Sequence, residues 1–195
     1  MVLYYVPGAC SLATHIALIE AALAYKLVSI DRSKRTDDGR DFLTINPKGC
    51  VPTLQLDDGT VLTENLAILA YLGDQQGTLL PAAGVPRWRA LEATSFMTTE
   101  LHSNFKPFFY ADATQAEKDR ARQKLVKHFA ILAEQLGDRA SLVGDRMTIA
   151  DPYLFVMLRW AVNFDIEVSG RLRAYLARVM QLPSIRRALA EEGLS

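Results

Sequence analysis

The chain has 195 residues, 22 basic and 22 acidic side chains, a formal net charge of zero and two cysteines. That balance gives no reason to expect nucleic acid or an anionic membrane as partner, and no apolar run approaches the roughly 20 residues of a membrane span. Two thiols, Cys10 and Cys50, are too few for a disulfide framework, the start of the chain lacks the charged and apolar regions of a signal peptide, and no Cys/His cluster suggests a metal site; a reducing cytoplasm is the expected setting.

Val2–Val6 reads as a buried strand broken by Pro7-Gly8. A helix is expected from Cys10 or Ser11 to about Leu23, with Leu12, Ile16, Ile19 and Leu23 at steps of 4, 3 and 4 on one face. Lys26–Asp31 is a second strand, so the first thirty residues form a βαβ unit with parallel strands and a right-handed crossover. Arg32–Arg40 is a polar loop and Asp41–Ile45 a helical turn. Asn46–Leu72 then holds a loop ending in Val51-Pro52, a strand at Thr53–Leu56, the turn Asp57-Asp58-Gly59, a strand at Thr60–Thr63 and a helix that begins at Glu64-Asn65. Beyond the Pro-bearing linker nothing reads as strand. Trp88–Phe105 is expected as one helix stopped or kinked at Pro107, and Thr114–Leu136 as another, with Leu125, Phe129, Leu132 and Leu136 as its apolar stripe. Thr148–Asp151 matches a capping pattern and opens the nearly all-apolar helix Asp151–Phe164; Arg171–Met180 and Ser184–Glu192 end the chain. The expected architecture is a small α/β domain at 1–77, a linker at 78–86 and an all-helical domain at 87–195.

The chemistry is expected where the first strand ends. Cys10 lies at a helix start beyond the carboxyl end of a strand, where open α/β sheets bind ligands and where thiol pKa values are lowered. Lowering a thiol by about two units takes roughly 2.7 kcal/mol, of which a helix terminus supplies at most about 2 and one charge-assisted hydrogen bond about 1.5–3. The sum calls for a donor beside the sulfur, and His102 is the candidate; the competing reading makes Cys10 a small buried hydrophobe. The backbone of Val51 offers pairing to an extended peptide, and the helix start at Glu64–Asn65 offers N–H groups to its carboxylate. His15 falls off its apolar stripe and is expected in solvent or at an interface, and His128 on a charged face. One of Tyr4 and Tyr5 is expected to point into the core.

The combination YYVPGACSLATHIAL, INPKGCVPTLQLDDGTVLTEN, TELHSNFKPFF and TIADPYLFVMLRW resembles the bacterial beta class of glutathione S-transferases along nearly the whole chain. The resemblance implies a thioredoxin-like N-terminal domain followed by an all-helical C-terminal domain, a homodimer, and glutathione as co-substrate. It implies contact of Cys10 with the glutathione sulfur, backbone pairing at Val51 beside a cis Pro52, and a γ-glutamyl site at Glu64 and Asn65. It further implies Arg35 at the glycyl carboxylate, Ser95 as an additional contact, and closure of the site by Thr99, Glu100, Leu101 and His102. Three positions depart from the pattern: Cys50 stands where Gln is expected, Asn65 where Gly or Ser is, and Arg35 where Lys is.

The function expected is conjugation of glutathione to hydrophobic electrophiles in a pocket lined by Phe105, Phe108 and Trp160, with Cys10 and His102 catalytic. Thiol–disulfide exchange or peroxidase chemistry through Cys10 is a side activity, for which Ala13 offers no resolving thiol. The alternative is a non-catalytic glutathione-binding or carrier protein on the same scaffold.

Overall fold

The structure, a computed structural model, describes residues 1–77 and 79–194. The chain divides into two compact units, Met1–Ala82 together with Leu182–Ser195, and Ala83–Gln181.

In the first unit a four-stranded sheet runs in the order β2-β1-β3-β4, with β1 Val2–Tyr5, β2 Lys26–Ser29, β3 Thr53–Gln55 and β4 Val61–Thr63. The pair β1–β2 is parallel and joined through α1, Ser11–Glu20, as the βαβ reading requires; β3 pairs antiparallel with β1 and with β4 across the Asp-Gly turn. Both Tyr4 and Tyr5 are buried, and Tyr4 packs with Ile30 and Phe42 while its hydroxyl donates to Gln55 Oε1 at 3.1 Å. The segment expected as plain loop is pinned by isolated bridges, Ile30 with Thr36 and Arg35 with Asp41, ahead of a short 3₁₀ turn at Phe42–Thr44. Helix α2 spans Asn65–Gln76.

Helix α1 is buried from Ser11 through Leu18, not along one stripe alone. The reason is the end of the chain: α8, Pro183–Glu191, belongs to this unit rather than to the helical one expected over 87–195. Ser184 donates to the Glu20 carboxylate, and Glu191 and Glu192 close on His15, so polar contacts hold α8 on α1.

The second unit is helical. Helix α3 starts at Gly84 and ends at Phe96, so part of the stretch expected as linker is already helix; Thr78, also in that stretch, lies outside the described residues. The expected single helix is then interrupted by a π-helical turn, Met97–His102, and resumes as α4, Ser103–Phe109, with Pro107 inside it rather than ending it. Helix α5, Gln115–Leu136, is opened by a reciprocal cap, in which Thr114 and Glu117 each accept from the other's backbone N–H. Helices α6, Ala150–Asn163, and α7, Gly170–Val179, complete the unit, and α6 is its most buried element. Among the described residues no helix is long and apolar enough to cross a membrane, and no cluster of His, Cys, Asp or Glu is arranged to hold a metal.

Candidate active site

In the first unit three chain segments meet at Cys10. The residue stands at the head of α1, 7% exposed, and its thiol donates to the carbonyl of Val51 at 3.1 Å. The Val51–Pro52 peptide bond is cis. From the head of α2, the buried Asn65 amide donates to the Cys10 carbonyl at 3.1 Å and its oxygen accepts from the Thr14 hydroxyl at 2.9 Å. A strand–helix junction, a turn and a second helix start are thereby fixed to one another by side-chain bonds, and the thiol, the Val51 backbone and the α2 N-terminus lie at one end of the strands.

The electrostatics at the sulfur favour the second of the two sequence readings, a buried neutral thiol. Burial pushes the Cys10 thiol up to about 12, while the N–H groups of Cys10 and Ser11 at the helix start pull the other way and lose. Helix-terminus stabilisation of a thiolate is real but small, whereas removing a charge from water costs several kcal/mol. Cys10 is therefore a neutral thiol and a hydrogen-bond donor in the ligand-free protein.

Glu64 caps α2 with φ +69° and is exposed, and Lys48 donates to its carboxylate at 2.7 Å and to the Thr63 hydroxyl at 3.0 Å. The sequence reading missed Lys48: the pair is 16 residues apart with no periodicity to reveal it. Asn65 begins α2 and is buried. Its side chain is consumed inside the fold, so only its backbone N–H at the helix start remains for a ligand carboxylate. Arg35 is exposed, and its own N–H and carbonyl are both bonded to Asp31. The neighbouring Lys34 donates to the Gly49 carbonyl at 2.7 Å and so steadies the loop that carries Cys50, which is exposed, and Val51.

His15 is another correction. It is fully buried, with Nδ1 at 3.0 Å from Glu192 Oε1 and Nε2 at 2.8 Å from Glu191 Oε2. The second oxygen of Glu192 accepts from the Gly8 N–H at 2.9 Å, so the C-terminal residues brace the loop that delivers Cys10. An imidazole off the apolar stripe is buried here because two carboxylates from the end of the chain satisfy it.

In the second unit the candidate residues gather on α3 and the π-helical turn. Ser95 is partly exposed and Thr99 exposed, while Leu101 is fully buried, which leaves it only its backbone for any ligand contact. The Glu100 carbonyl accepts from Asn104 at 2.6 Å and from His128 Nδ1 at 3.1 Å. His102 ends the turn with Nδ1 at 2.7 Å from the Tyr153 hydroxyl. Burial, aided by the charge of Lys106, lowers its pKa to about 4, so it is a neutral imidazole at pH 7 and cannot supply the charge-assisted bond that the sequence arithmetic asked for.

Next to it lies an aromatic cluster. Trp160 stands edge-on to His102 at 5.1 Å, to Phe105 at 5.4 Å and to Phe109 at 4.8 Å; Phe164 lies 5.3 Å from Phe108 and 5.1 Å from Phe109. Phe105 is fully buried and Trp160 only 5% exposed, whereas Phe109 is 52% exposed. Phe105 is thus the floor of the cluster rather than a pocket wall. Phe109, and Phe164, which sequence reasoning left out, belong to its accessible side.

Two family models cover most of the chain: residues 8–75 match "Glutathione S-transferase, N-terminal domain" and residues 115–178 match "Glutathione S-transferase, C-terminal domain". The chain is 42% identical to glutathione S-transferase GstA of Escherichia coli O157:H7, with all of both chains covered. The chain belongs to the glutathione S-transferase family. Among solved glutathione transferases it superposes on a ternary complex of the bacterial enzyme BphK with TM-score 0.96 and 43% identity, covering both chains completely. A sphingomonad glutathione S-transferase complexed with glutathione gives TM-score 0.94 and 39% identity over both complete chains. A bacterial beta class enzyme from Sphingomonas chungbukensis gives 0.93 and 39%, again over both complete chains, in line with the beta-class resemblance of the sequence. The α/β-plus-helical architecture read from the sequence is that of glutathione transferases.

Proposed function

We propose that this glutathione transferase conjugates glutathione to hydrophobic electrophiles, with Cys10 serving the bound sulfur mainly as a hydrogen-bond donor. The observation that carries this reading is the Cys10 thiol, kept neutral by burial and directed at the Val51 carbonyl, on a chain similar along its whole length to named glutathione transferases. In the first unit Val51 supplies backbone pairing to the cysteinyl unit, beside Pro52. Glu64, set by Lys48, takes the γ-glutamyl ammonium, the Asn65 N–H takes its carboxylate, and Arg35 takes the glycyl carboxylate. In the second unit Ser95, Thr99, Glu100, the Leu101 backbone and His102 complete the glutathione contacts, and Phe108, Phe109 and Trp160 receive the electrophile.

In conjugation the glutathione thiol loses its proton to solvent, and neutral donors stabilise the thiolate. Sulfur then forms a bond to the electrophilic carbon as the leaving group departs with its electron pair. In exchange, the Cys10 sulfur attacks the glutathione sulfur of a mixed disulfide RS–SG and releases the thiol RSH; a second glutathione then attacks the enzyme–glutathione disulfide, freeing Cys10 and leaving as glutathione disulfide, because residue 13 is Ala. A sulfur with pKa about 12 is a poor nucleophile at pH 7, which favours conjugation as the main activity. The decisive measurement is 1-chloro-2,4-dinitrobenzene conjugation and hydroxyethyl-disulfide reduction by wild type and Cys10→Ala. Conjugation that survives the substitution while disulfide reduction disappears is the expected result. Loss of conjugation makes the Cys10 thiol essential to the glutathione thiolate rather than an accessory, and glutathione uptake without turnover in either assay makes the protein a carrier.

The chain is proposed to act as a homodimer in the cytoplasm. Support for the dimer comes from the outer face of α3, where Val85 is 68% and Trp88 66% exposed, beside a cavity of about 630 Å³ lined by Val85, Pro86, Phe96 and Ile131. Trp88→Glu is expected to convert the dimer to monomer at micromolar concentration, since a buried unpaired carboxylate costs an interface several kcal/mol. Light scattering on the eluting peak reads the mass, and an unchanged mass rules this face out.

A further inference from the structure

Tyr153 on α6 is fully buried, and its hydroxyl lies 2.7 Å from His102 Nδ1. The two rings are near-perpendicular, at 79° with centroids 6.2 Å apart, and the Trp160 ring stands edge-on to the imidazole at 75°. An imidazole held on one side by a hydroxyl and on another by an indole has one ring orientation. In a neutral imidazole one nitrogen donates and the other accepts, and the partner of one nitrogen decides the state of both.

We propose that Tyr153 is a positioning residue for the transferase reaction: its buried hydroxyl donates to Nδ1 of His102 and so fixes the imidazole as the Nε2–H tautomer, leaving a single preorganised donor for the substrate sulfur. The catalytic part rests on the reading above, in which His102 is one of the glutathione contacts, and takes the sulfur as the atom it meets. Three arguments support the direction of the bond. A buried phenol hydrogen needs an acceptor, and Nδ1 stands at hydrogen-bond distance. A phenol is also a far stronger acid than a neutral imidazole N–H, so the proton prefers to point from oxygen to nitrogen. Finally, the opposite tautomer would offer the sulfur a lone pair, which cannot stabilise a thiolate. Because burial keeps His102 neutral at pH 7, the tautomer and not the charge decides what the ring can do.

The direct test is nitrogen-15 NMR of the His102 ring in the folded wild-type protein at pH 7. A pyridine-type Nδ1 and a pyrrole-type Nε2 support the proposal, and the reverse pattern overturns it without any variant. The kinetic test is Tyr153→Phe, expected to lower kcat for conjugation about tenfold, the worth of one neutral hydrogen bond, while the glutathione KM stays within about twofold. In a His102→Ala background the same substitution is expected to cost nothing further; an equal loss there assigns Tyr153 to packing and overturns the proposal, as does an unchanged kcat in the single variant. Calorimetry of wild type with glutathione separates the two levels. No uptake removes the glutathione reading, and the catalytic role with it, whereas uptake with an Nδ1–H ring removes the Tyr153 proposal alone.

Discussion

Iodoacetamide at pH 8 is expected to alkylate Cys50 in the ligand-free protein and to leave Cys10 unmodified over the time in which Cys50 reacts completely. Burial pushes the Cys10 thiol up to about 12, so it is almost wholly un-ionised at that pH, and the thiolate is the form that is alkylated. Access acts in the same direction, since Cys10 is 7% exposed and Cys50 is on the surface. Peptide mapping by mass spectrometry along a time course reads both sites at once. Comparable labelling of the two would mean that the helix-terminal N–H groups outweigh burial, and Cys10 would return to the role of nucleophile. The outcome therefore bears on mechanism: a donor thiol at position 10 stabilises the sulfur of glutathione, and a thiolate there competes with it.

Asp151→Ala is expected to cost about 3–5 kcal/mol, which for a chain of this size is on the order of 10 °C in Tm. Asp151 is 2% exposed, and its carboxylate accepts from the Leu142 N–H at 2.8 Å, the Thr148 N–H at 2.7 Å, the Thr148 hydroxyl at 3.2 Å and the Tyr175 hydroxyl at 2.8 Å. Burial pushes this carboxyl up, and the four donors hold it down. Burial and the adjacent carboxylate push the Tyr175 hydroxyl well above its ordinary range, so that hydroxyl stays a donor. Truncation strands buried donors from the loop before α6, from its cap and from α7, and each stranded donor costs more than its bond contributed. Asp151→Asn keeps an acceptor oxygen and is expected to lose about half as much. Denaturant melts with an unchanged m-value check both, and a loss below about 1 kcal/mol for the Ala variant would show that water takes over the bonds.

Regularity made much of the fold readable in the sequence. The apolar run Val2–Val6, the 4-3-4 spacing in α1 and the Asp-Gly turn are local signals, and they led to the parallel pair, the crossover helix and the hairpin. The Thr-x-x-Asp pattern at Thr148 marked the start of α6 in the same way, and the Thr-x-x-Glu pattern at Thr114 was there to be used. The candidate residues near Cys10 were legible because a strand end, a turn and two helix starts are each signalled within a few residues.

What the amino-acid order determined by itself was therefore the list of elements, the family and the residues at the head of α1 and α2. The folded chain alone decided their states. Cys10 lost its expected charge because desolvation depends on everything packed over the sulfur, and a helix start seen in the sequence reports only the weaker opposing effect. His15 turned inward because carboxylates from the far end of the chain reach it, and the Asn65 side chain became an internal brace because Thr14 and Cys10 lie beside it. Phe105 became floor, and His102 a neutral ring under Tyr153, because α6 crosses behind them. Local pattern fixes which groups are present at a site, while protonation and hydrogen-bond roles are set by partners remote in sequence, through the short-range forces that burial makes strong.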